Sequence, residues 1–153
     1  MLNGQKAGYM KMIRSEYSDR IVHQETVFME LKRANNKLIV ETIDESIETL
    51  KGQPLGFKSI QNIGGGQMEL QGKIDKNGHF QVSTISAGNQ QKEEFQWPKG
   101  ALMPEGLRLE MLEHELKSGT QFKTRMFLPS SLQSSEIEIK VIGQETVDLF
   151  GID

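Results

Sequence analysis

Three histidines, His23, His79 and His114, are the side chains whose ordinary pKa places a change of charge near neutrality. His23 falls in a strand pattern, His79 directly follows an Asn-Gly turn and His114 falls in a helical pattern, so nothing in the spacing gathers them. His114 has Glu110 and Glu113 within a turn, a pair that could hold a metal; the plainer reading is a solvated helical face. Glu41, Asp44, Glu45 and Glu48 form an acidic ladder that invites a reading as paired catalytic carboxylates or a calcium site. Glycosidase-type chemistry needs two carboxyl groups roughly 5 to 10 Å apart across a cleft, and calcium needs an oxygen-rich loop absent here. A ladder broken by isoleucines reads instead as a wet sheet face or edge, where charge discourages pairing.

Nucleophile and phosphate motifs are missing as well. Ser130, Ser131, Ser134 and Ser135 form a polar loop, without a Gly-x-Ser-x-Gly elbow. Gly64-Gly65-Gly66 reads as a turn, because no Gly-Lys-Ser/Thr follows it. The chain has no cysteine, which excludes disulfides, thiol catalysis and thiolate zinc sites. No cofactor is expected, and a non-enzymatic function follows.

The elements that must position these residues are mostly strands. Period-2 patterning between turn residues marks antiparallel sheet: Gly8 to Glu16, Ile21 to Lys32, Lys37 to Leu50 (long, and bent or bulged), Leu55 to Ile63, Gln67 to Asp75, His79 to Ile85 and Lys92 to Trp97. Gln121 to Leu128, Glu136 to Ile142 and Glu145 to Phe150 resume the pattern. Turns fall at Asn35-Asn36, Gly52-Gln53-Pro54 and Ala87-Gly88-Asn89, and Lys76-Asn77-Gly78 predicts a hairpin with a type I′ turn. One segment, Pro104 to Lys117, predicts a helix: Leu107, Leu109, Met111, Leu112 and Leu116 give its apolar side, and Gly119 suits its exit. Arg108, Glu110, Glu113 and Glu115 should then be wet. The fold class is mainly β, a long curled antiparallel sheet, half-barrel or open barrel, with one helix packed on it.

With 153 residues, 18 Lys and Arg against 21 Asp and Glu, and 36% apolar residues, the composition is that of one ordinary globular domain. It lacks the basic density of a nucleic-acid binder and any apolar run of the ~20 residues that cross a bilayer. Residues 1 to 6 have no secretory signal character, and Val147 to Phe150 starts a strand that stops at Asp153, so a fragment of a longer protein is expected. Eight methionines suggest an adaptable core or groove. Trp97, Met103, Leu107 and Met111 are the residues expected to offer an apolar surface to a ligand or partner, with Trp97-Pro98-Lys99-Gly100 near the mouth of a pocket.

A family resemblance rests on turn residues and strand order over nearly the whole chain. Gly4-Gln5-Lys6-Ala7-Gly8-Tyr9, Gly52-Gln53-Pro54-Leu55-Gly56-Phe57, Gly72-Lys73-Ile74 with Asn77-Gly78, Trp97 to Gly106, Leu116 to Phe122 and Val141 to Val147 resemble the non-catalytic region preceding the catalytic domain of bacterial transglutaminase-like cell-envelope proteins. The pattern is also similar to periplasmic half-barrels of the lipoprotein-carrier type. This resemblance implies an exported, periplasmic half-barrel that positions or regulates a catalytic domain C-terminal to it through a sheet edge or the helix face. The alternative it implies is a stand-alone carrier of a lipid or apolar peptide. The transglutaminase catalytic cysteine has no counterpart here.

Overall fold

The computed structural model describes residues 7–33, 36–114 and 116–146. Among them are ten strands and one helix. Seven strands form one antiparallel sheet in sequence order: β1 (Gly8–Glu16), β2 (Ile21–Arg33), β3 (Asn36–Glu48), β4 (Pro54–Ile63), β5 (Gly66–Ile74), β6 (His79–Ser86) and β7 (Asn89–Gln96). β8 (Ala101–Leu102) then leads into α1 (Pro104–Glu113), and β9 (Gln121–Leu128) and β10 (Gln133–Lys140) complete a small sheet ordered β10-β9-β8. Neither sheet is closed or strongly curled, so of the expected half-barrel the structure holds the coarser part: a long antiparallel sheet with one helix.

Every β1–β7 connection joins adjacent strands, and register carries one set of side chains onto the face that meets α1 and the small sheet. On β4 to β6 that face is aromatic. Phe57, Phe80, Val82, Ala101, Met103 and Phe127 form the buried core, with Trp97, Ile74 and Leu132 packed against it. The rings of Phe80 and Trp97 meet edge to face at 5.5 Å, and Trp97 lies 4.5 Å from Phe127. Gly72 is required here, because a Cβ on it would sit 2.1 Å from the Phe57 ring.

Local chemistry explains most boundaries and some departures. β3 is a long strand with a register shift at Ile47/Glu48, as its mixed pattern predicts. The Asn77-Gly78 hairpin forms, but only Gly78 has positive φ, at 78°, which excludes the expected type I′ turn. The Asp75 side chain closes the loop instead, its Oδ1 accepting the N–H groups of Asn77 and His79 at 2.9 Å. Positive φ at two successive positions occurs at Gly64-Gly65 and at Ala87-Gly88, where Ala87 sits at 49°. α1 stops at Glu113, short of Lys117, because His114 leaves it to stack on Phe122 of β9 at 3.9 Å. β7 begins three residues early, since an exposed edge strand needs no apolar alternation. Glu145 and Thr146 are not in a strand. The opening residues 1–6, Asn35, Glu115 and the rest of that expected last strand, from Val147, lie outside the described residues.

Candidate functional site

The structure brings charge together where β1–β3 meet the first turn of α1. The acidic ladder is neither an edge nor uniformly wet: β3 lies between β2 and β4, and alternation sends Asp44 and Glu48 to the covered face while Glu41 and Glu45 take the other. Glu48 is fully buried. Its carboxylate accepts the backbone N–H of Glu105 at 2.8 Å and of Gly106 at 2.9 Å. α1 lacks a side-chain cap of its own, since Met103 occupies that position. With Pro104 carrying no N–H and Leu107 donating to the Met103 carbonyl, Glu48 completes the satisfaction of the helix start from another strand. The turn before β4 fits against this helix start: Gly52 has φ 72°, and a Cβ there would lie 2.6 Å from Gly106 Cα.

Glu105, in the first turn of α1, is buried to 1% exposure. Arg14 of β1 grips it through Nε at 2.9 Å and a terminal nitrogen at 3.1 Å; Arg108 does the same at 3.1 and 2.7 Å; His23 Nε2 lies 3.0 Å away. Arg108 and Arg14 hold the Glu105 carboxyl well below the usual carboxylate range, and Glu105 in turn raises both guanidinium groups. Burial pushes Glu48 the other way, upward, against the two backbone N–H groups it accepts. Both carboxylates are occupied: Glu105 receives five contacts from three side chains, and Glu48 receives two main-chain donors and a long contact from Ser46 Oγ at 3.4 Å. This arrangement is built to clamp a helix to a sheet, and it leaves little acceptor capacity for substrate.

Next to it lies a second acidic pair. Met12, Glu25, Asp44 and Ser59 stand in register across β1 to β4. Burial raises both Glu25 and Asp44, and the charge of Asp44 adds to the shift of Glu25. The Ser59 hydroxyl opposes the Asp44 shift, yet Ser59 Oγ and Asp44 Oδ1 both stand outside hydrogen-bond geometry with any neighbour.

The three histidines stay apart, in the clamp, beside Asp75 at 3.9 Å, and on Phe122. Of the apolar candidates, Met103 is completely buried and Trp97 packs into the aromatic core with its indole N–H on the Ala101 carbonyl at 3.0 Å. Leu107 and Met111 are half-buried on α1. Leu112 of α1 is exposed, and a run of exposed apolar side chains lies on β1, where Tyr9, Met10, Met12 and Ile13 are 51%, 60%, 65% and 38% exposed. Sequence reasoning places this strand at its observed bounds but passes over its exposed apolar side chains, and it passes over the clamp. Arg14 and Glu105 are 91 residues apart, which no local pattern reports. The β1 signal was present, however: a strand apolar on both faces is either central or an edge awaiting cover. No protein-family model, no curated protein and no solved structure matches this chain.

Proposed function

We propose that this chain is a non-catalytic accessory domain of a bacterial cell-envelope protein, docking a catalytic domain C-terminal to it along β1, an edge of the sheet among the described residues. One observation carries the reading, the character of that edge. Tyr17 N–H bonds to the Arg20 carbonyl and Glu30 N–H to that of Ala7, so odd-numbered residues of β1 pair with β2, and the main-chain groups of Gly8, Met10, Met12, Arg14 and Glu16 face outward. Nine residues of edge strand flanked by exposed Tyr9, Met10, Met12 and Ile13 make a template for an added strand, which a protein leaves bare only where a partner covers it. The engagement of both Glu48 and Glu105 in structural contacts supports a non-catalytic role.

Reading the parent gene beyond the codon for Asp153 tests this. The accessory reading expects a further domain of about a hundred residues or more carrying a cysteine followed by histidine and aspartate. A stop codon soon after Asp153 would refute it.

A second reading has its own observation. Met10, Met12, Met29 and Ile63 are exposed on the same sheet face as the core, as a periplasmic half-barrel carrier of a lipid or apolar peptide would require. A fluorescent apolar probe that binds at micromolar protein, and is lost on Met12→Glu, supports the carrier; no binding removes it.

A further inference from the structure

If β1 docks a neighbouring domain, as proposed above, a charge on that strand shows what chemistry the docked strand must bring. Alternation puts Met10, Met12, Arg14 and Glu16 on the covered face and Tyr9, Lys11, Ile13 and Ser15 on the outer one, where Tyr9 stacks on Phe28 of β2 at 5.5 Å. Lys11 thus stands between two exposed apolar side chains and opposite Thr26. Among the described residues no carboxylate lies within salt-bridge reach of its ammonium. Other strand lysines find a glutamate placed diagonally on the adjacent strand: Lys58 meets Glu69 at 3.0 Å and Lys123 meets Glu136 at 2.9 Å. Lys73 and Lys92 lack such a partner too, but they lie among Gln71, Gln81 and Glu94 on a polar surface.

On the side away from β2, the odd-numbered residues of β1 take the non-hydrogen-bonded positions, where the side chains of antiparallel strands come closest. A strand added there strips water from one side of Lys11. The residue facing it then decides the pairing, because opposite charges across two strands stabilise them and like charges oppose them. A second copy of β1 brings no such charge: in every antiparallel register its outer face carries no carboxylate, since Glu16 lies on the other face, and one register sets Lys11 against itself. We infer that the occupant of β1 is a strand of the C-terminal domain that carries an aspartate or glutamate opposite Lys11 and apolar residues against Tyr9, Met10, Met12 and Ile13.

Amide exchange in the intact protein as its gene encodes it, read at Met10, Met12 and Arg14, tests the assignment. Lys11→Glu should lower the protection of those amides about tenfold and Lys11→Gln only about threefold, since reversal sets two carboxylates against each other while removal merely loses the pair. The 153-residue chain with either substitution should keep the slow exchange of Ile13, which shows that the pairing of β1 with β2 survives the change. Fast exchange at Met10, Met12 and Arg14 in the intact wild type overturns the docking reading itself, and this assignment with it. Protection in the wild type that Lys11→Glu reduces no more than Lys11→Gln does overturns the carboxylate alone. Protection already present in the 153-residue chain and rising with its concentration makes a second copy the occupant, which also overturns the assignment.

Discussion

The two flanks of the seven-stranded sheet are built in opposite ways. On the β5–β7 flank the covered face is aromatic and the edge is polar: Gln90, Lys92, Glu94 and Gln96 carry the outward main-chain groups of β7, as the bond from Trp97 N–H to the Gly78 carbonyl fixes. On the β1–β3 flank the covered face is ionic, held by Glu48, Glu105, Arg14, Arg108 and His23, and the edge is apolar. The first is how a domain ends against water. The second is how a domain continues into something else, since its charges are spent inward on fixing α1 and its apolar side chains face outward. This inversion motivates the docking reading.

The aromatic flank should respond to lost volume. Phe127→Ala is expected to cost about 3 to 5 kcal/mol in chemical denaturation, nearly independent of salt, because the ring is fully buried among Phe57, Phe80 and Trp97. A much smaller cost would mean that this flank is not the core. The ionic flank should respond to lost charge. Glu105→Ala leaves two guanidinium groups without their carboxylate, and since each is about a third exposed or more and can rehydrate, about 2 to 3 kcal/mol is expected. Glu105→Gln should recover only part of it. Identical stability of Glu105→Ala and wild type would dissolve the contrast between the flanks.

The acidic row sharpens it through pH. Burial holds Asp44 and Glu25 above the usual carboxylate range, so their contribution to stability is full below the unfolded pKa and is lost as pH rises through the raised folded value. Glu105, held low, has the opposite sign: its contribution is present above the ordinary range and goes only in strong acid. Lowering the pH from neutrality toward the ordinary carboxylate range should therefore raise Tm, and Asp44→Asn should flatten that rise. An unchanged slope in the variant would place the titration elsewhere, in Glu48, which burial also raises. Smallest is the turn leading into β7: Ala87 at φ 49° occupies a conformation that costs an L-residue about 1 kcal/mol, so Ala87→Gly should add up to about that much stability, and a loss would mean that the Ala87 methyl makes contacts of its own.

The legibility of the chain follows the same division. β1 can be read from end to end, and the β2 to β6 hairpins to within a few residues, because alternation and turn residues are local. The two residues of β8 are too few to alternate, and β7 hides among polar residues because both its faces are wet. The helix start is visible in Pro104, but the partner of its free N–H groups is not: Glu48 lies 57 residues before Glu105, in a ladder whose plain reading is a wet face. Glu105 is buried because Arg14, His23 and Arg108 converge on it, a condition only tertiary structure creates. Local patterning therefore mistakes charges that bind the protein to itself for charges that face water.

Amide hydrogen exchange along β1 tests the central claim most directly. In the 153-residue chain the amides of Met10, Met12 and Arg14 should exchange fast and those of Lys11 and Ile13, bonded to β2, slowly. In the intact protein as its gene encodes it, the account predicts that Met10, Met12 and Arg14 become protected along with their neighbours. Fast exchange at those three amides in the intact protein would contradict it, and with it the reading of β1 as a docking edge.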